Sequence, residues 1–142
     1  MQVFESWGGE LSPADFAKFS LPFLKQIAVK VKKALGEIEL DVPMAVFARG
    51  SHYALDDLEK TSYDIVSLDW TISPEKARKS IKTKTLQGNA DPSLLYADPE
   101  TIRKVTKEMV HAFGKQRYIA NLGHGMLPGI GNEKRFNFMY RS

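Results

Sequence analysis

The chain has 142 residues, of which 43% are hydrophobic and 26% charged, with a formal net charge of +3 and no cysteine. This length suits one domain with one core, and the lack of cysteine excludes a disulfide framework or a cysteine-ligated zinc site. We expect no membrane helix and no secretory signal, because no apolar run approaches the roughly 20 residues that a bilayer span needs. Basic residues are interspersed with acidic ones, which favours a solvated surface over a nucleic-acid-binding patch.

Five short apolar segments alternate with helical segments along the chain. None shows a clean alternation of polar and apolar residues, so each is predicted to be a strand buried on both faces of a parallel sheet. These predicted strands are residues 2–4, 43–48, 64–68, 84–87 and 118–122. Their alternation with helices indicates α/β architecture built from βαβ units. Five strands leave two folds open: a flavodoxin-like open sheet, or part of an eight-stranded barrel, which typically needs about 250 residues.

Helix starts are marked by Ser or Asp followed directly by Pro. The Ser or Asp oxygen can accept a free backbone N–H, and proline suits the first helical position because it has no N–H of its own. The four pairs are Ser12-Pro13, Ser73-Pro74, Asp91-Pro92 and Asp98-Pro99.

Two helical segments carry apolar residues at spacings of three and four, which predicts a stripe that faces the core. The first stripe comprises Phe16, Phe19, Phe23, Ile27, Val31 and Leu35. Pro22 lies within it and predicts a kink, or two helices of which the second starts at Ser20. The second stripe comprises Ile102, Val105, Met109 and Phe113. Gly114 is expected to end that helix as its C′ residue.

Polar residues follow the ends of all five predicted strands. They are Glu5 and Ser6; Arg49, Ser51 and His52; Asp69, with Trp70 beside it; Gln87, Asn89 and Asp91; and His124. The carboxyl ends of parallel strands meet at the edge where α/β proteins bind ligands, so Ser6 and His124 are expected to lie on the same edge. Gly123 and Gly125 are expected to leave open space around the imidazole. No glycine-rich phosphate loop follows the first strand, which argues against a nucleotide site.

A purely structural explanation is also available for His52, Asp69 and His111. His52 is expected to begin a helix or bond a loop carbonyl, Asp69 to cap a turn or fix a loop, and His111 to favour the C-terminus of its helix. A metal site of His52, Asp69 and His124 is disfavoured, because no closely spaced ligand pair supports it. A nucleophile pair of Ser6 and His124 lacks an elbow motif and a third member.

Long motifs recur in order along the chain, at residues 4–12 (FESWGGELS), 19–27, 42–55, 66–71, 86–92 and 117–125 (RYIANLGHG). With these motifs the chain resembles the uroporphyrinogen decarboxylases from its first residues to about Pro128. The resemblance implies a portion of a (β/α)8 barrel, about five βα units, in an enzyme that uses neither metal nor organic cofactor. Such an enzyme converts uroporphyrinogen III to coproporphyrinogen III by removing four carboxyl groups as CO2, in haem synthesis.

The resemblance also carries expectations for single residues and for assembly. Ser6 and His124 would line the substrate cleft and hydrogen-bond substrate carboxylates or neighbouring groups, and Phe4 would pack against the macrocycle. The full-length protein would be a cytoplasmic homodimer. The chain corresponds to the later part of the family's barrel. The arginines that hold the substrate carboxylates, the aspartate that binds the pyrrole N–H groups and an active-site tyrosine belong to the earlier part, so no catalytic residue is expected here.

The end of the chain departs from the family pattern. Residues 129–142 follow no periodicity and are predicted to form a divergent, irregular tail, which leaves residues 1–128 as the barrel portion. Two interpretations therefore stay open. The chain is an incomplete decarboxylase, or it is an inactive short product that serves as an interaction or porphyrinogen-binding module. Because part of a barrel leaves strand edges and apolar faces exposed, the isolated chain is predicted to be unstable or self-associating.

Overall fold

A computed structural model describes residues 1–126 of the chain, and the predicted tail at 129–142 lies outside the described residues. Five parallel strands form one sheet: β1 (Gln2–Glu5), β2 (Ala45–Ala48), β3 (Ile65–Ser67), β4 (Thr85–Ala90) and β5 (Tyr118–Leu122). Each strand pairs with the next one along the chain, giving the order β1-β2-β3-β4-β5. Sequential order is that of a (β/α) barrel, whereas a flavodoxin-like sheet is reordered. The α/β prediction is confirmed, and the strand order selects the barrel arrangement.

The helices are α1 (Pro13–Asp15), α2 (Leu21–Gly36), α3 (Leu55–Glu59), α4 (Pro74–Ser80) and α5 (Pro99–Phe113), with 3-10 turns at Gly8–Glu10, His52–Ala54 and Pro92–Tyr96. Of these helices, α1, α4 and α5 begin where the Ser-Pro and Asp-Pro pairs predict, whereas α2 and α3 begin at positions that no such pair marks. The side chains of Ser12, Ser73, Asp91 and Asp98 each accept a backbone N–H of the turn that follows. Asp91 starts a 3-10 turn rather than an α-helix. Gly114 ends α5 with φ 80° as predicted, but it is the C-cap residue rather than C′, since its N–H still donates to the carbonyls of Val110 and His111.

The first predicted stripe is wrong in its phase. Phe16 is buried, but Phe19, Phe23 and Ile27 are 56%, 60% and 39% exposed. A π-helical turn at Phe16–Ser20 causes the shift, because its i→i+5 bonding places Phe16 and Leu21 on the same face. From Leu21 onward the buried face continues at Leu24 and Ala28, with Val31 and Leu35 half-buried. The predicted break near Pro22 is confirmed, since α2 starts after Ser20.

The two faces of the sheet differ in what they contact. One face carries the paired row Val3, Val46, Val66, Leu86 and Tyr118, which belongs to the core or packs against it. The opposite, concave face carries the row Phe4, Phe47, Ser67, Gln87 and Ile119. The prediction of burial on both faces holds for β2 but not for β1. Because β1 is an edge strand in the described residues, its Phe4 side chain remains 67% exposed.

Arg78 of α4 ties the end of α5 to the start of β5. Its guanidinium donates to the carbonyl oxygens of Phe113 (3.1 Å), Gln116 (3.0 Å) and Arg117 (2.9 Å). These carbonyls follow the C-terminal end of α5, where backbone oxygens lack helical partners. Arg78 thereby fixes the chain segment that leads into β5.

Candidate functional site

A cavity of about 520 Å³ lies on the concave face of the sheet, toward the carboxyl ends of the strands. Its lining includes Phe4 and Phe47 as apolar surface and Ser6, Gln87 and His124 as polar groups. Apolar walls with a few convergent polar groups are typical of small-molecule sites. The structure thus brings together Phe4, Ser6 and His124, the three residues predicted from the sequence. Their roles toward a substrate remain predictions.

Aromatic rings position His124. The His124 ring lies 6.0 Å from the Trp70 ring at 84° and 6.2 Å from the Phe47 ring at 62°, both edge-to-face. Phe47 in turn lies 6.1 Å from Phe4 at 71°. The Nδ1 atom of His124 is 3.4 Å from the Gly125 carbonyl oxygen, which is long for a hydrogen bond. The ring is therefore oriented mainly by packing, and within residues 1–126 its Nε2 atom has no hydrogen-bond partner and is open to a ligand.

The glycines beside His124 serve different purposes. A Cβ atom at Gly123 would lie 2.4 Å from the Trp70 nitrogen and 2.9 Å from the Asp69 carbonyl carbon, so the loop after β5 touches the backbone after β3. A Cβ atom at Gly125 would meet nothing within 4 Å. The expectation of open space holds for Gly125, whereas Gly123 is needed for a close backbone approach.

Asp69 joins the loops that follow β2 and β3. It is 2% exposed and accepts hydrogen bonds from the backbone N–H groups of Gly50 (2.7 Å) and Thr71 (2.9 Å) and from the Thr71 hydroxyl. Its Oδ1 also lies 3.0 Å from His52 Nε2. Burial alone would raise the pKa of Asp69, but the bonds from His52, Thr71 and Gly50 outweigh it and hold that pKa well below its usual range. The structural explanation of Asp69, as a residue that fixes a loop, is confirmed.

His52 begins the turn His52–Ala54 as predicted, but it bonds side chains rather than a loop carbonyl. Its Nε2 lies 2.6 Å from Thr71 Oγ1 in addition to the Asp69 contact. His111 lies in the last turn of α5, where a helix C-terminus favours it. Within residues 1–126 no group of three or more His, Asp or Glu side chains is arranged to hold a metal ion.

Two residues at the site, Phe47 and Tyr53, were not singled out from the sequence, and the contacts of a third, Asn89, were not foreseen. Phe47 lines the cavity because it pairs in register with Phe4, and the shared register is the signal that reveals it. Tyr53 donates its hydroxyl to the carbonyl oxygens of Gly8 (2.7 Å) and Leu11 (3.1 Å), which secures the loop after β1. Asn89, noted only as a polar residue, donates its amide to the Asp69 and Ile72 carbonyls at 2.9 and 2.7 Å.

Comparison with known proteins identifies a matching family and several similar sequences. The family model "Uroporphyrinogen decarboxylase (URO-D)" matches residues 1–140. A uroporphyrinogen decarboxylase of Ovis aries is 50% identical over 135 residues, which is 94% of this chain and 37% of that protein. The Homo sapiens protein of the same name is 49% identical with the same coverage. That of Salinibacter ruber is 48% identical over 129 residues, 90% of this chain and 35% of the relative.

A solved structure shows the same fold at lower sequence similarity. A methyltransferase from Methanosarcina mazei superimposes with a TM-score of 0.79 over 99% of this chain and 40% of that one, at 18% identity. At this identity the likeness concerns the fold alone. The chain therefore spans a little over a third of the length of the relatives it matches. By its sequence and by the extent of the family match, it belongs to the uroporphyrinogen decarboxylase family.

Proposed function

We propose that this chain is the part of a uroporphyrinogen decarboxylase that binds the macrocycle, in the reaction that converts uroporphyrinogen III to coproporphyrinogen III and four CO2. The observation that carries the proposal is the meeting of Phe4, Ser6 and His124 in one cavity. Phe4 lies on β1, Ser6 directly follows β1, and His124 lies in the loop after β5, in a chain that is about half identical to decarboxylases. The chain spans 37% of the length of the Ovis aries relative. We therefore assign substrate binding to this chain, and we assign the remaining catalytic groups to the part of the protein that it does not span.

The lining suits an apolar ring with acidic side chains. Phe4 and Phe47 present apolar surface on which such a ring can lie. The Ser6 hydroxyl and an imidazole N–H of His124 can donate hydrogen bonds to a carboxylate. In each decarboxylation an acetate carboxylate leaves as CO2 and the remaining carbon takes up a proton, which gives a methyl group. That step needs a proton donor and a counter-charge at the ring, and residues outside this chain would supply both.

Assembly and location are part of the same proposal. We infer that the full-length protein is a cytoplasmic homodimer that needs no cofactor and binds neither nucleic acid nor membrane, as the family resemblance implies. The mixed distribution of acidic and basic residues supports the absence of a nucleic-acid surface. In the part of the chain that the structure describes, no helix combines the length and apolar character required to cross a bilayer.

Titration of the 142-residue chain with uroporphyrin III, the oxidised form of the substrate, tests the binding proposal. Trp70 lies next to His124 and reports binding through its fluorescence. We expect saturable quenching that His124→Ala and Ser6→Ala weaken. His111→Ala is the matched control, because His111 lies in the last turn of α5, away from the cavity lining. Equal binding by all variants would contradict the site, and an absence of saturable binding would contradict the function.

A chimera tests catalysis. Residues 1–126 would replace the matching segment of the Ovis aries relative, and CO2 release from uroporphyrinogen would be measured for the chimera and for the chain alone. We expect turnover by the chimera only. A folded chimera that binds uroporphyrin without turnover would instead favour the second candidate, an inactive porphyrinogen-binding module. That candidate draws support from the chain's coverage of only 37% of its relatives.

A further inference from the structure

A second, smaller cavity of about 210 Å³ lies beside the first at the same edge of the sheet. The loops after β1, β2 and β3 form it, and its lining includes Ser6, Arg49, Trp70 and Thr71. Ser6 also lines the first cavity, and Trp70 packs against His124 of that cavity. The two cavities therefore adjoin at Ser6, and a ligand in the first can reach the second with a side chain.

Arg49 places a cation in this second cavity. Its backbone is held on both sides: its N–H donates to the Glu5 carbonyl (3.0 Å), and its carbonyl accepts from the Gly9 N–H (2.8 Å). Its guanidinium, by contrast, makes no hydrogen bond or ion pair with any of residues 1–126. Arg78 and Arg117 differ from Arg49, since their guanidiniums donate to backbone carbonyls and thereby serve the fold. Arg49 thus combines a fixed origin with a free charged end.

The acidic residues at this cavity do not neutralise Arg49. Asp69 lines the cavity, but its oxygens already accept from Gly50, Thr71 and His52. Glu10 also lines the cavity and is exposed to solvent, and no ion pair joins it to Arg49. A guanidinium without a partner, in a cavity beside a serine hydroxyl, is suited to a carboxylate, which it can bind through two parallel hydrogen bonds.

We propose that Arg49 binds a carboxylate side chain of the tetrapyrrole in this second cavity, next to the group that Ser6 contacts. The inference rests on the proposed function, because it takes the ring to lie on Phe4 and Phe47. A peripheral carboxylate then extends past Ser6 and meets the guanidinium. Arg49 thereby sets the rotational position of the macrocycle through one of its side chains.

The test is uroporphyrin III binding by the 142-residue chain, measured by tryptophan quenching for wild type, Arg49→Gln, Arg49→Lys and Lys30→Gln. We expect Arg49→Gln to raise Kd about 10-fold, as the loss of a charge-assisted hydrogen bond predicts. Arg49→Lys should recover part of this loss, because it keeps the charge without the planar pair of donors. Lys30→Gln removes the same charge from an exposed position on α2 and should change Kd less than twofold. Unchanged circular dichroism would verify that the variants fold.

Each other result overturns the inference in a distinguishable way. If wild type and Arg49→Gln bind equally while His124→Ala weakens binding, the proposed function stands and the role of Arg49 is refuted. If Lys30→Gln weakens binding as much as Arg49→Gln does, net charge rather than a defined contact is responsible, and the role of Arg49 is again refuted. If the wild-type chain binds no uroporphyrin, both proposals fail together.

Discussion

Replacing Asp69 with asparagine tests whether this buried carboxylate holds the loops after β2 and β3 together. One oxygen, Oδ2, accepts the Gly50 N–H at 2.7 Å, and the other, Oδ1, serves Thr71 and His52. Asparagine has nearly the same shape but only one acceptor oxygen. In its better orientation that oxygen replaces Oδ1, and the NH2 group then faces the Gly50 N–H.

The cost of Asp69→Asn can be worked from these contacts. A hydrogen bond to a charged group is worth about 1.5–3 kcal/mol, and a buried donor left without an acceptor costs about 1–3 kcal/mol. The two figures partly describe the same loss, so they are not simply added. We expect the free energy of unfolding to fall by about 3 kcal/mol. That is a large share of the roughly 5–15 kcal/mol of a typical domain. Asp41→Asn, at an exposed position, should stay within about 0.5 kcal/mol.

The assay is urea denaturation followed by circular dichroism, at pH 7 and across the acid range. The pKa of Asp69 is lower in the folded chain than its usual value of about 3.9. Its stabilisation is therefore fully present above that unfolded-state pKa and is lost as the pH falls toward the folded-state pKa. The difference between wild type and Asp69→Asn should be largest near pH 7 and shrink below about pH 4. A difference under about 0.5 kcal/mol at pH 7 would refute the reasoning.

Two further predictions concern the loop at the site and the exposed face of α2. Gly123→Ala should lower the free energy of unfolding by about 2 kcal/mol and weaken uroporphyrin binding, because its Cβ would overlap the Trp70 backbone, whereas Gly125→Ala should cost under about 1 kcal/mol. Equal effects of the two substitutions, by denaturation and by tryptophan quenching, would contradict the close approach. Phe23 is 60% exposed, which leaves about 120 Å² of its apolar surface in contact with water. If self-association buries this surface, Phe23→Lys should weaken it by up to about 3 kcal/mol, or roughly 100-fold in Kd. Val29→Lys is the control, since Val29 is 54% exposed on another side of the same helix. Sedimentation velocity over a range of concentrations measures both, and a wild-type chain that is monomeric throughout would contradict the prediction.

Local signals in the sequence predicted local structure well. The capping pairs at Ser12 and Asp98 were reliable because a cap depends only on residues within one turn. The meeting of Ser6 and His124 also followed, since any parallel sheet brings its carboxyl ends to one edge.

A change of helix type and features that depend on more than one segment could not be read from the sequence. The stripe through Phe19 and Phe23 was out of phase because the pattern does not reveal a π-helical turn. The need for Gly123 depends on how closely two loops approach, and the free guanidinium of Arg49 depends on which acidic groups are already satisfied. The properties of Gly123 and Arg49 arise from contacts between distant parts of the chain.

The three carbonyls held by Arg78 have a consequence at the opposite end of the sheet. β5 is an extended strand of five residues between Arg117 and the glycine loop that carries His124. An extended strand is stiff along its length, so a displacement of its first residue also displaces its last residue. By fixing the start of β5, Arg78 therefore sets from a distance how far His124 projects over the cavity. A lysine would keep the positive charge, yet it lacks the rigid fork of N–H groups with which the Arg78 guanidinium reaches three carbonyls.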